Sequence, residues 1–237
     1  MPGNHTDDTP VISQFGLGQV PFWLKQSSLV TAPGRSLRPG GLMLTRRAAD
    51  FCDFSGDSRI LDTGCGYGMT LAYLDGTLGI SGTGCDPAPE VMAGAVKRQH
   101  RPGGLVRAGL PALPFRSGYF NGIFCECVLS LMDNRAAGLE ELYRVTAPNG
   151  RLVITDLYIR KWRPRPTKPP ARAAYSRSCL DGAVSMMEML TAVEQAGFKT
   201  EIVEDHSGLL RQLGGLPGFF RPQMQKTGYC MIIAAKY

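Results

Sequence analysis

Apolar positions along the chain recur in two alternating periods. Leu42, Leu44, Ala48, Ala49, Phe51 and Cys52 follow helical spacing and predict a helix over 45–54, after which the segment 59–62 reads as a short strand ending in an acidic residue. The alternation continues with a helix over 69–74, a strand over 80–85, and a helix over 88–100 opened by Pro87 and Pro89 near its first turn. A weak strand at 105–107, a strand over 122–127, a helix over 134–146 and a strand over 151–157 after the Pro148-Asn149-Gly150 turn follow. Residues 158–182 break the rhythm; a helix over 184–196 closed by Gly197, a strand over 200–204, a short helix near Leu209 and a last strand over 228–236 restore it. Strands alternating with helices imply right-handed crossovers. The expected fold is therefore α/β, a Rossmann-like, doubly wound, mostly parallel sheet of seven strands.

Two segments stand outside this pattern. Residues 1–40 are rich in Pro and Gly and carry the aromatic group Phe15, Phe22 and Trp23, which suggests an N-terminal arm ahead of one domain over 41–237. The stretch 158–182 has four prolines and reads as a basic lid inserted in that domain.

Composition narrows the class. With 43% hydrophobic and 19% charged residues, the chain of 237 residues is too apolar for a disordered protein. Apolar runs such as 231–235 are far short of the roughly 20 residues that cross a bilayer, and residues 1–10 offer no apolar leader core, so a cytoplasmic protein without a transmembrane segment is expected. The seven cysteines include no CxxC pair, which argues against a disulfide framework and a structural zinc site and predicts reduced, buried thiols and no bound metal.

The chemistry concentrates in Asp62-Thr63-Gly64-Cys65-Gly66-Tyr67-Gly68, between a predicted strand and a predicted helix. Glycines there let a ligand lie against main-chain amides. The spacing is GxGxG, since position 69 is Met69, and Asp62 beside the loop would repel a pyrophosphate while suiting an ammonium or sulfonium. Asp86 ends the next strand, 20 residues after Gly66, where an acidic side chain reaches ribose hydroxyls in a doubly wound sheet. Two carboxylates and three glycines describe a nucleoside site with no phosphate requirement.

These residues, together with Leu113-Pro114-Phe115 and the segment 139–150, resemble the ordered motifs of class I S-adenosylmethionine-dependent methyltransferases, in the flavour of the ubiquinone/menaquinone-biosynthesis group. The resemblance spans about residues 40–157 and implies S-adenosyl-L-methionine as cofactor and an antiparallel last strand in the sheet. By that resemblance Asp62 and the loop Gly64, Cys65, Gly66 and Gly68 flank the methionine end, Asp86 holds the ribose, and Pro87 packs by the adenine. Glu126, Cys127 and the residues to Leu129 border the methyl group and the substrate. Two positions depart from the family pattern. Gly109 stands where relatives commonly have Asp, which leaves the adenine to backbone groups near Leu110, and Asn121 replaces the Asp usual at the start of the fourth strand.

Methyl transfer from a sulfonium needs positioning and desolvation more than catalytic side chains. If the acceptor needs a base, Glu126 is the carboxylate best placed by sequence, with His206 behind it. The run Arg160, Lys161, Arg163, Arg165, Lys168, Arg172 and Arg177 carries no acid and is interleaved with Trp162 and Tyr175. It suits recruitment of an anionic small molecule or peripheral contact with anionic lipid. A stable nucleic-acid partner is not expected, because residues 125–129 lack the Asn/Asp-Pro-Pro-aromatic motif that holds a flipped base. The primary expectation is thus an enzyme methylating a small molecule; metalloid (arsenite-type) or nucleic-acid methylation and a non-catalytic cofactor-fold partner protein are the alternatives.

Overall fold

The computed structural model describes residues 38–96, 104–160, 179–213 and 226–237. Within them lie helices α1 (Met43–Phe51), α2 (Met69–Leu78), α3 (Pro89–Val96), α4 (Arg135–Val145) and α5 (Met186–Gln195). The strands are β1 (Ile60–Thr63), β2 (Gly82–Cys85), β3 (Leu105–Val106), β4 (Phe120–Glu126), β5 (Thr146–Ile159), β6 (Val184–Ser185), β7 (Lys199–Asp205) and β8 (Thr227–Ala235). Residues 1–37 of the expected arm and 161–178 of the expected lid lie outside the described residues.

The sheet has the order β3-β2-β1-β4-β5-β8-β7. β8 runs antiparallel to both β5 and β7, and the pairings among β1 to β5 are parallel. The expected seven strands form this path; an eighth, β6, adds two residues beside Tyr158 and Ile159 of β5. Both ends of β5 differ from expectation: it opens at Thr146, ahead of the turn expected at 148–150. β5 continues through Ile159, so residues 158 and 159 belong to the sheet, because Tyr158 and Ile159 pair with Gly228 and Thr227 on one side and with β6 on the other.

Alternation along the strands builds two cores. In β8, Cys230, Ile232 and Ala234 join Leu139, Leu142 and Met189 of α4 and α5, whereas Tyr229, Met231 and Ile233 join Leu44 and Ala48 of α1 on the other face. β4 divides likewise, Ile123 and Cys125 to one face and Phe124 to the other. A strand buried on both faces must be apolar at every position, which is why 231–235 reads as a continuous apolar run. The helix starts are chemically marked: Ser185 and Glu188 form a reciprocal capping box on α5, and the Asn134 side chain accepts the Ala137 N–H at 3.1 Å on α4.

Successive crossovers from β1 carry the chain outward to β2 and β3, and it then returns to place β4 on the other side of β1. In an open parallel sheet the carboxyl ends of the strands flanking such a reversal form a crevice. The glycine loop follows β1 and Glu126 ends β4, so both open onto it.

Candidate functional site

The crevice is a cleft lined by Arg38, Asp62, Gly64, Cys65, Gly66, Tyr67, Met69, Thr70, Glu126 and Cys127. Six residues singled out in the sequence therefore come together: Asp62, Gly64, Cys65, Gly66, Glu126 and Cys127. The loop is held open by left-handed backbone at Gly64, with φ +67°, and a side chain there would meet Val128 Cγ2 at 2.5 Å. Gly68 supplies the left-handed N-cap of α2 instead of lining the cleft.

Asp62 is 3% exposed. Among the described residues no hydrogen bond or ion pair reaches its carboxyl. Burial first, then the charge of Glu126, holds that carboxyl well above the ordinary carboxylate range, with Arg38 acting in the opposite direction. A sealed acid facing a cleft without a donor suits a cationic ligand group.

Asp86 directly follows β2 and braces the loop. Its Oδ2 accepts the Gly66 N–H at 3.0 Å and its Oδ1 the Ala88 N–H at 2.9 Å. Burial raises its carboxyl while these two amides oppose the rise. Each oxygen accepts one bond and keeps capacity for a ligand hydroxyl. Pro87 and Gly109 face each other, and a Cβ on Gly109 would sit 3.2 Å from Pro87 Cγ. An Asp at 109 would thus make a tight contact that Pro87 has to yield to by a few tenths of an ångström. Leu110 packs against the core beneath α4 and does not line the cleft. Asn121 Oδ1 accepts the Arg59 N–H at 3.0 Å and so ties the start of β4 to the residue before β1.

Glu126 is held on both oxygens. Thr45 donates to Oε1 at 3.1 Å, Thr70 donates to Oε2 at 2.7 Å, and the Arg38 guanidinium also bonds Oε2. The same two hydroxyls accept from Arg38, Thr70 at 3.0 Å. Burial opposes the Arg38 charge, but Glu126, Tyr229 and Asp62 outweigh it and raise the guanidinium's pKa further. Arg38, Thr45 and Thr70 are site residues that sequence reasoning missed. Their contacts with one another and with Glu126 join positions 7 to 88 residues apart, and no local spacing signals the meeting.

Cys127 turns into the cleft just past β4, with φ +57°, and its thiol lies 3.4 Å from the Tyr229 hydroxyl. Burial pushes this thiol up, away from the reactive thiolate. The other six cysteines are buried, as expected. His206 binds Glu204 at 2.8 Å, and Glu204 also binds Arg47 at 2.8 Å, so it belongs to a surface ion-pair group outside the cleft lining.

Residues 61–154 match the family model described as a methyltransferase domain. An uncharacterized methyltransferase of Bacillus subtilis, YodH, is 34% identical over 161 residues, covering 67% of this chain and 67% of that protein. A demethylmenaquinone methyltransferase of Thermus thermophilus is 35% identical over 115 residues, covering 47% of this chain and 52% of that one, about half its length. Among solved structures, a geranyl diphosphate C-methyltransferase from Streptomyces coelicolor, in complex with Mg2+, geranyl diphosphate and S-adenosyl-L-homocysteine, superposes with a TM-score of 0.65. That match covers 81% of this chain and 77% of the other at 15% identity, and it shows the shared fold.

Proposed function

The chain belongs to the S-adenosylmethionine-dependent methyltransferase family, and from that premise we propose that it transfers a methyl group from this cofactor to a small-molecule acceptor at the cleft beside β1 and β4. The observation that carries this reading is Asp62: a buried carboxyl that no donor among the described residues reaches, opening on a glycine loop that leaves room for a ligand. It suits the cofactor's ammonium, and Asp86 suits the ribose hydroxyls on the neighbouring strand end. Pro87 and the backbone at Gly109 offer an apolar wall for the base, with Leu110 supporting that wall from the core side.

The cofactor supplies an activated methyl group on sulfur. The protein's own task is to bind and orient both partners and exclude water, so no nucleophile is required. Cys65 and Gly66 offer backbone along the methionine end, Gly68 sets the direction of α2, and Cys127 and Glu126 form the cleft wall toward the acceptor. Glu126 stands as a base candidate, but with three donors on its carboxylate it suits the holding of neighbouring groups better than proton removal. The seven positive charges between residues 157 and 180 favour an anionic acceptor.

Calorimetric titration with S-adenosylhomocysteine tests the reading. Saturable binding that Asp86→Ala weakens supports it; absence of binding at millimolar ligand overturns it.

A further inference from the structure

Outside the cleft lining, β5 carries a further acid that is sealed from solvent. Asp156 follows Thr155, the partner of Glu126 in the β4–β5 register, and both Asp156 and Ser130 are fully buried. The Asp156 carboxylate accepts three hydrogen bonds. The Ser130 hydroxyl donates to Oδ1 at 2.6 Å, the Leu157 N–H donates to the same oxygen at 2.7 Å, and the Ser130 N–H donates to Oδ2 at 2.9 Å. One serine is thus held twice by the acid, through its side chain and through its main chain. Burial raises this carboxyl, and the Ser130 and Leu157 donors oppose the rise.

Ser130 sits in the short segment 127–131, which meets three parts of the molecule. Cys127 lines the cleft and is tied to β5 by its N–H, which donates to the Thr155 carbonyl at 2.7 Å. Val128 closes on the glycine loop, where a side chain at Gly64 would meet its Cγ2 at 2.5 Å. Ser130 lies against Gly182, so near that a Cβ there would fall 1.7 Å from the Ser130 carbonyl oxygen, and Arg135 donates to the Gly182 carbonyl at 2.7 Å. The regular structure of this segment is one turn of 3-10 helix over Leu129–Leu131. So short a turn does not fix its own place, and the placement falls to side chains.

We infer that Asp156 is a positioning residue for the acceptor wall: through Ser130 it fixes residues 127–131 against the glycine loop, and through the same serine it seats residues 179–182, which follow the basic run in the chain. This rests on reading the cleft as a methyl-transfer site with Glu126 and Cys127 toward the acceptor. Asp156 touches neither reactant and acts through Ser130 alone. The role accounts for a charge kept inside the core. Ser130 presents an N–H and an O–H from one residue, and the two oxygens of a carboxylate accept both, whereas an apolar residue at 156 would leave two buried donors unsatisfied. A wall held in place before the acceptor arrives costs little to order at the moment of reaction.

The cysteines report on this anchor, because Cys127 is partly exposed and the other six are buried. The experiment is alkylation by N-ethylmaleimide under native conditions, with the rate at each cysteine resolved by fragment mass spectra, with and without saturating S-adenosylhomocysteine, whose affinity is measured by calorimetry. Asp156→Asn keeps the shape but puts an amide NH2 where an oxygen accepted, so at least one donor of Ser130 or Leu157 loses its partner. It should raise the rates at Cys127 and Cys179 by about tenfold, the scale of one lost hydrogen bond to a charged group, and leave Cys52, Cys85, Cys230 and the affinity for S-adenosylhomocysteine unchanged. Ser130→Ala should give the same pattern at smaller size, and it decides the matter if Asp156→Asn does not fold. In the wild type the ligand should slow labelling of Cys127, and in Asp156→Asn that protection should shrink even at saturation. A merely structural role predicts instead that all cysteines speed up together as global opening becomes more frequent. A parallel rise at every cysteine, unchanged rates in both variants, or ligand binding that leaves Cys127 unprotected in the wild type would overturn the inference while S-adenosylhomocysteine binding stands. A wild type that binds no S-adenosylhomocysteine at millimolar ligand overturns the cofactor reading, and the acceptor role of Asp156 with it, whatever the labelling pattern.

Discussion

Asp62 carries a proton more readily in the folded chain than in the unfolded one, because burial and Glu126 raise its carboxyl well above the ordinary value of ~3.9. The folded state then binds more protons than the unfolded state as pH climbs above that ordinary value. Its contribution to stability is fully present below the unfolded pKa and is lost as pH rises through the folded one. An ammonium beside Asp62 reverses the preference and expels the proton. Affinity for S-adenosylhomocysteine should accordingly rise with pH until Asp62 is ionised in the free protein, with proton release detectable by calorimetry in buffers of different ionisation enthalpy. Asp62→Asn should flatten that rise and raise the stability of the ligand-free protein at neutral pH; an unaltered pH profile would place the titrating group elsewhere. At Asp86 the expected loss has two sources, the ligand contact and the brace on Gly66. Asp86→Ala should cost about 1 to 3 kcal/mol of cofactor binding, the scale of a hydrogen bond to a charged group, with unchanged affinity in calorimetry showing that the ribose lies elsewhere.

Elements were legible in the sequence wherever a single local rule governs them. The alternation of helical and strand periods placed β1, β2, β4, α4 and β8 because each is one stretch packed on a common sheet, and the glycine loop was legible because left-handed backbone leaves glycines at fixed offsets. The end of β5 was not, since Tyr158 and Ile159 are strand only through partners near residues 184 and 228. Nor was the ring around Glu126: Arg38 lay in a Pro- and Gly-rich stretch without periodicity, and Thr45 and Thr70 looked like ordinary helix residues. Polar contacts of long sequence separation leave no period to read. The helix α5 offers a test of a local rule. Its capping box satisfies the Glu188 N–H through Ser185 Oγ at 3.2 Å and the Ser185 N–H through Glu188 at 2.9 Å. Ser185→Ala should cost roughly 1 kcal/mol in chemical denaturation without altering cofactor affinity, because α5 packs on the sheet face opposite α1 and takes no part in the cleft.

Across the whole molecule the charge is uneven. The net charge is +6, and the seven basic residues between 157 and 180 account for more than all of it, leaving 19 Lys and Arg against 20 Asp and Glu elsewhere. The described lining of the cleft holds two carboxyl groups, Asp62 and Glu126, against one guanidinium, Arg38. The Arg38 cation is already paired with Glu126, so an anionic acceptor has to be drawn in by a field from elsewhere. The basic run, which follows β5 in the chain, is the part of the sequence able to provide one. Such a field acts over roughly a Debye length, about 8 to 10 Å near physiological salt, and fades as ionic strength rises. Replacing Arg163 and Arg165 with Ser should therefore raise the apparent KM for an anionic acceptor, reduce its dependence on salt, and leave kcat and the affinity for S-adenosylhomocysteine unchanged. A neutral analogue of the acceptor should be indifferent to both salt and the substitutions. Equal KM values for the anionic acceptor in variant and wild type across a salt series would assign the run to solubility and return acceptor selection to the cleft itself.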